Sequence, residues 1–252
     1  MRNLLRRLVF FPLAGFLALT AAAPAQPGSF EISDNGKSVG TASFDVKATP
    51  KGYDSTSLVR VSMEGLNYTL SKTETLDSAN RIVHILLSGT VNGSAVYITG
   101  KPDAGQFLLN ISANGRSSTA RLAGHANAVV LPDFDAGALE TLLVVAAQHN
   151  NRDLWAILPK QAGSMVPVQL ATYADQKGTL NGKPIEVHHL VATISGSTTH
   201  LFSGPENQIL QAELPQEGFA LVRKGFVLTP PAKPGAPPVP PAQPQTQQPP
   251  AP

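Results

Sequence analysis

Few side chains in this sequence could do chemistry, and they are loosely spaced. The densest group is Glu186-Val187-His188-His189. On a strand, Glu186 and His188 share one face, while His189 points to the other beside Val187 and Val191. An imidazole and a carboxylate on one face supply half of a metal site, or a general base with its orienting acid. A metal centre needs a third ligand, and His84, His125, His149 and His200 stand at no ligand spacing from this group. The expectation is a polar surface pair, Glu186 with His188, and one histidine satisfied within the sheet. A hydrolase or metal enzyme built around His188 and His189 is kept as an alternative.

Two further motifs fail on context. Gly36-Lys37-Ser38-Val39-Gly40 spells the G-x-S-x-G of serine hydrolases. That motif works only where a strained strand-to-helix turn exposes the serine beside oxyanion donors. Here a hairpin turn precedes it, and residues 41–46 alternate like a strand. Asp133-Phe134-Asp135 lacks the further acids of a calcium loop, and helix capping explains it more simply. There is no phosphate-cradling glycine loop and no dinucleotide fingerprint. The sequence assigns no catalytic residue, no metal ligand and no cofactor.

Composition narrows the classes. The chain has 252 residues, no cysteine, 14% charged and 6% aromatic residues, and a net charge of +2. Without cysteine there is no disulfide, no thiolate zinc site, no cysteine nucleophile and no acylated lipoprotein cysteine. Residues 1–25 read as a secretory leader: Arg2, Arg6 and Arg7, an apolar run over 8–19, and Ala23-Pro24-Ala25 as the cleavage site. The apolar run is shorter than the ~18–20 residues of a membrane span. Sec-type export to the periplasm or beyond, with cleavage after Ala25 and no stable transmembrane segment afterwards, is expected. Removing the three leader arginines leaves sixteen bases against seventeen acids. No basic footprint for nucleic acid remains.

The elements that position these residues are mostly strands. Asn-Gly occurs at Asn35-Gly36, Asn92-Gly93, Asn114-Gly115 and Asn181-Gly182, each flanked by alternating or β-branched residues. Asn-Gly accepts positive φ at both central positions of a type I′ turn, so each pair predicts a hairpin. Strands are predicted over 53–63 and 66–76 around Glu64-Gly65, and Asp77-Ser78-Ala79-Asn80 turns the chain again. Three short strands follow late, over 200–202, 208–213 and 219–226. One helix interrupts them at about 135–149. Asp133 or Asp135 caps it, Leu139, Leu142, Leu143 and Ala146 recur at helical spacing, and Asn150-Asn151 ends it. Residues 229–252 are Pro, Ala and Gln for the most part, with eleven prolines between Pro230 and Pro252. Such a segment has little to bury and is expected to be a disordered tail.

The expected fold is a mainly β domain over 27–228: an antiparallel meander curved into a half-barrel or open barrel, with one helix packed on the sheet. The run Leu201-Phe202-Ser203-Gly204-Pro205-Glu206-Asn207-Gln208-Ile209-Leu210-Gln211-Ala212-Glu213-Leu214-Pro215 resembles the closing hairpin of uncharacterised periplasmic proteins. These are related in shape to the lipoprotein carriers LolA and LolB. The order of strands, with a helix before the last third, is similar to that half-barrel family. The resemblance implies a curved sheet that encloses an apolar cavity.

The function expected first is therefore non-catalytic binding of an apolar small molecule or lipid, with Leu139, Leu142, Leu143 and Ala146 as candidate lining. The second expectation is a scaffolding envelope protein, reaching another envelope protein or the cell wall through the Pro-rich tail or a sheet edge.

Overall fold

The computed structural model describes residues 27–160 and 163–230. The expected leader and the tail beyond Pro230 lie outside the described residues. Between them the chain is mainly β, with one helix and a large, mostly antiparallel open sheet that does not close into a barrel.

The first arm of the sheet is an uninterrupted meander. It runs through β1 (Gly28–Asp34), β2 (Lys37–Thr49), β3 (Gly52–Met63), β4 (Leu66–Asp77), β5 (Ile82–Val91), β6 (Ser94–Asp103), β7 (Gln106–Ala113) and β8 (Arg116–Ala123). Each strand pairs antiparallel with the next. The predicted Asn-Gly turns are all present, with φ between +47° and +53° at the asparagines and between +69° and +80° at the glycines. Asp77 closes the β4–β5 turn, its Oδ1 accepting from the N–H groups of Ala79 and Arg81, both at 2.9 Å. Ala104-Gly105 also takes positive φ, +47° and +80°, between β6 and β7. The sequence did not announce this turn, because alanine rarely adopts that conformation.

The second arm departs from a simple meander. β9 (Ala128–Val130), the helix α1 (Ala136–Gln148) and β10 (Leu154–Leu158) form a crossover, with β9 and β10 parallel. β9 was not expected from the sequence. β11 (Ser164–Thr172) pairs with β10 and with the far half of β13 (Lys183–Ile194). Residues 168–172 of β11 do not enter the hairpin at Asn181-Gly182. Instead a separate short strand, β12 (Gln176–Leu180), makes that hairpin with the near half of β13. β14 (Ser197–Ser203), β15 (Ile209–Leu214) and β16 (Phe219–Arg223) continue the sheet, and β16 pairs with β1. The strand expected over 219–226 is split by Gly225, at φ +81°, into β16 and β17 (Phe226–Leu228), and β17 turns away to pair with β12. β1 is thus the seam between the arms.

Both arms turn their apolar residues inward, around α1. Phe30, Ile32, Ile85, Leu87, Leu109, Leu142, Ile157 and Leu201 are buried in one core. Asp135 is the N-cap, its Oδ1 accepting from the Ala138 N–H at 3.1 Å. Asn150 and Asn151, at φ +51° and +58°, turn the chain after the helix. The helix is buried on more than one side, including Gly137, Glu140 and Thr141, because strands of both arms surround it. Gly137 is required by the packing: a Cβ there would lie 2.8 Å from Phe44 Cβ on β2. A smaller core of Val187, Phe202, Leu210 and Phe226 lies apart from the main one, beside the β12–β17 pair.

Candidate functional site

Three places bring chemically capable residues together. The first is a cavity of about 360 Å³ on the inner face of the first arm. Alternation along β4 places Leu66, Tyr68 and Leu70 on this face. The cross-strand register adds Leu87, Val96, Ile98 and Ile111 from β5, β6 and β7. The opposing wall is made by Leu131–Phe134, just before α1, and by Pro159-Lys160 after β10. Lys160 Nζ donates to Asp133 Oδ1 at 2.8 Å and ties those two segments together. Tyr68 Oη donates to the Asp133 carbonyl at 3.5 Å. Burial, with the Asp133 and Asp135 carboxylates nearby, pushes the Tyr68 phenol well above its ordinary value, so it remains a neutral donor. An apolar lining with one ion pair and one phenol is the pattern of a site for a mostly apolar ligand.

The candidate lining residues Leu139, Leu142, Leu143 and Ala146 are not in this cavity. Leu142, Leu143 and Ala146 are fully buried core, and Leu139 packs against the same core half-buried. The helix plugs the space between the arms, so the cavity forms beside it, over the strand ends at the Glu64-Gly65, Asn92-Gly93 and Asn114-Gly115 turns.

The second place lies under the start of α1. Asp135 Oδ2 accepts from Ser57 Oγ at 2.8 Å and pairs with Lys72 Nζ at 3.2 Å. Lys72 also pairs with Glu74 Oε2 at 3.2 Å. Lys72, Glu74 and Asp135 are each at most 2% exposed. Burial alone would push the Lys72 amine down, but the Asp135 and Glu74 carboxylates outweigh it and hold the amine above its ordinary value. A lysine held as a cation and shut away from solvent cannot act as a base toward Ser57. The group fastens the helix start to β3 and β4. Lys72 and Glu74 have the same strand parity as Tyr68, Leu70 and Leu76, and that alternation was the signal in the sequence that they face inward.

The third place holds the histidines. His188 Nδ1 lies 3.0 Å from Asp175 Oδ1, so its acidic partner is Asp175 and not the expected Glu186, which is exposed. His189 is on the other face, as expected, with its Nε2 3.1 Å from His200 Nδ1. Its ring stacks on Phe202 at 4.6 Å and lies 5.1 Å from Tyr173, and its Nδ1 is 3.4 Å from Gln176 Nε2. Burial pushes the His189 imidazole below its ordinary value, His200 pushes it the same way, and Glu213 opposes both. The meeting of His189 and His200 escaped the sequence because the turn that sets it, Ser195-Gly196 at φ +50° and +83°, was not recognised. Counting outward from that turn puts Val191 opposite His200 and His189 opposite Phe202. Among the described residues, no group of three or more His, Asp or Glu side chains is placed to hold a metal ion.

Ser38 of the G-x-S-x-G match lies in β2, directly after the first hairpin turn, with no helix following. A second opening of about 440 Å³ lies at the opposite end of the first arm, beside His125. Its charged side chains are already paired, Asp77 with Arg81 at 2.7 Å and Asp103 with Arg121 at 3.4 Å. Among the described residues no helix is long and apolar enough to cross a membrane. Comparison with family models, curated proteins and solved structures finds no match to this chain.

Proposed function

We propose that this protein is a non-catalytic binding module of the cell envelope that holds an apolar or lipid-like ligand in the cavity beside α1. The observation that carries the reading is the cavity itself: about 360 Å³, lined by Leu66, Leu70, Leu87, Val96, Ile98 and Ile111, and edged by the Lys160–Asp133 pair. That volume lies in the range of small-molecule sites. An alkyl chain burying about ten methylenes would contribute on the order of 8 kcal/mol before the entropic cost of binding. Micromolar affinity corresponds to about 8 kcal/mol net, so packing contacts between ligand and lining must offset that cost; no charged site is required. In the sequence, the resemblance of residues 201–215 to the closing hairpin of LolA/LolB-like proteins and the secretory pattern of residues 1–25 point to the same reading and to an envelope location.

The test is binding of dodecanol to the purified mature protein, followed by native mass spectrometry and displacement of an environment-sensitive naphthylamine dye. One-to-one binding in the micromolar range is expected. The variant Val96→Trp, which fills the cavity from β6, should weaken binding at least about tenfold, a loss of roughly 1.4 kcal/mol, while keeping the wild-type circular dichroism. Equal binding by wild type and Val96→Trp would remove the cavity from the reading.

A further inference from the structure

The histidine cluster lies away from the cavity, and its geometry sets a limit on protons. His189 Nε2 and His200 Nδ1 are 3.1 Å apart on adjacent strands. One proton sits between them. If Gln176 donates to His189 Nδ1, His189 carries its proton on Nε2 and donates to His200. If the Gln176 amide is reversed, the direction of both bonds reverses. In either arrangement the neutral pair is satisfied, and one added proton can be taken up on the outer nitrogen. A second added proton leaves two N–H groups and two positive charges facing each other across 3.1 Å, and the contact must break.

The same pair holds a strap. Residues 173–175 carry the chain from β11 to β12. The Tyr173 N–H donates to the His189 carbonyl at 2.8 Å, the Tyr173 ring lies against the His189 ring, and Gln176 reaches His189 Nδ1. The titratable groups around His189 come from each neighbouring element: His200 on β14, Glu213 on β15 and Tyr173 on the strap. Glu213 sits opposite His200 and favours the first added proton. Gln211 Nε2 occupies Glu213 Oε1 at 2.5 Å. On the other face, His188 holds the strap separately, its Nδ1 3.0 Å from Asp175 Oδ1. That tie holds the strap at Asp175, and the β12–β13 ladder holds the Gln176 backbone, leaving Tyr173 and the Gln176 side chain to depend on His189.

We propose that the His189–His200 pair is an acid-operated clasp, closed at neutral pH and opened by double protonation, which releases Tyr173 and the Gln176 side chain and uncovers the outer face at Phe202. The direction agrees with the environment of His189. Its folded value lies below the ordinary 6.5, so the stability it contributes is complete above pH 6.5 and is lost as the pH falls below that value. Phe202 belongs to the small outer core with Val187, Leu210 and Phe226, so opening exposes apolar surface on the side away from α1. This proposal does not depend on the cavity reading.

Amide hydrogen exchange of the full protein between pH 7.5 and 5, expressed as protection factors, tests it. Protection of the Tyr173 amide should fall at least about tenfold, the change that one unit of proton affinity produces, while the Ile85 amide in the main sheet keeps its protection. In His200→Gln, which keeps a neutral partner for His189 and cannot charge, Tyr173 should remain protected throughout. Unchanged protection in the wild type, or an equal loss in His200→Gln, overturns the clasp. So does a parallel loss at Ile85, which marks global acid unfolding. Should His200→Gln not fold, side-chain nitrogen NMR of the wild type decides: two well-separated protonation steps for the pair support the clasp, and coincident independent steps overturn it.

Discussion

At the scale of single residues, the least expected feature is a lysine inside a β domain. Lys72 stands between Asp135 and Glu74 with almost no exposure. Removing one partner of a buried ion pair costs far more than forming the pair contributes, because the remaining charge is stranded. Lys72→Met leaves two carboxylates uncompensated and should destabilise the fold by about 3–5 kcal/mol, read as a lower denaturant midpoint at unchanged slope. The alkaline side gives a second readout. The Lys72 amine is held above its ordinary 10.5, so its contribution is complete below pH 10.5 and is lost as the pH rises through the higher folded value. The stability difference between wild type and Lys72→Met should therefore narrow above pH 10.5. A constant difference would mean that packing, not charge, is what Lys72 supplies.

At the scale of elements, two glycines separate conformational need from packing need. Gly93, at φ +79° in the β5–β6 turn, has open space where a Cβ would be, whereas Gly163, at φ +83°, would place a Cβ 2.6 Å from Leu109 Cδ2. Gly93→Ala should cost about 1–2 kcal/mol, the price of left-handed backbone for an alanine. Gly163→Ala meets the same backbone penalty and also drives into β7, where the segment leading into β11 lies against the first arm. Its loss in thermal unfolding should clearly exceed that of Gly93→Ala. Equal losses would mean that Leu109 yields without resistance. The helix is held at three points by different means: the Asp135 cap and its buried lysine, the Gly137 approach to Phe44, and Glu140 Oε2 accepting the Ile209 N–H at 2.9 Å on β15. Two of these reach the first arm and one the second, so the helix is the tie between the arms as well as their filling.

At the scale of the whole molecule, the arms meet through β1, whose two neighbours are β2, next in sequence, and β16, almost the full length of the domain away. Phe30 and Ile32 on β1 are fully buried, and β16 sets Arg223 and Leu221 opposite them. Pairing across so long a loop is slow to form and is rewarded late. A chain ending at Leu214, which lacks β16 and β17, should give no cooperative unfolding transition even though fifteen of the seventeen strands among the described residues remain. A sharp transition with native near-ultraviolet dichroism would show that the first arm and helix fold without that closure.

What the sequence alone determined was whatever neighbouring residues decide among themselves. The Asn-Gly pairs specify turns because their backbone tolerates positive φ, and strands of matching alternation then pair on either side. Asp135, one of the two caps the sequence offered with Asp133, and Asn150-Asn151 bound the helix for equally local reasons. From these came the mainly β, antiparallel class, the helix expected at about 135–149 and found at Ala136–Gln148, and the two-faced placement of His188 and His189. Lys72 and Glu74 were legible in principle, since alternation gives them the parity of Tyr68 and Leu70, but a charged side chain by itself ordinarily marks solvent. The tertiary structure decided the pairings that chain proximity does not favour: β9 with β10, β1 with β16, and β11 with the far half of β13. It also decided that the leucines of α1 would be core while the cavity opened beside them, and that His189 would meet His200. Each of these depends on how a twisted sheet brings distant strands together, where burial of apolar area and relief of buried charge outweigh any local preference.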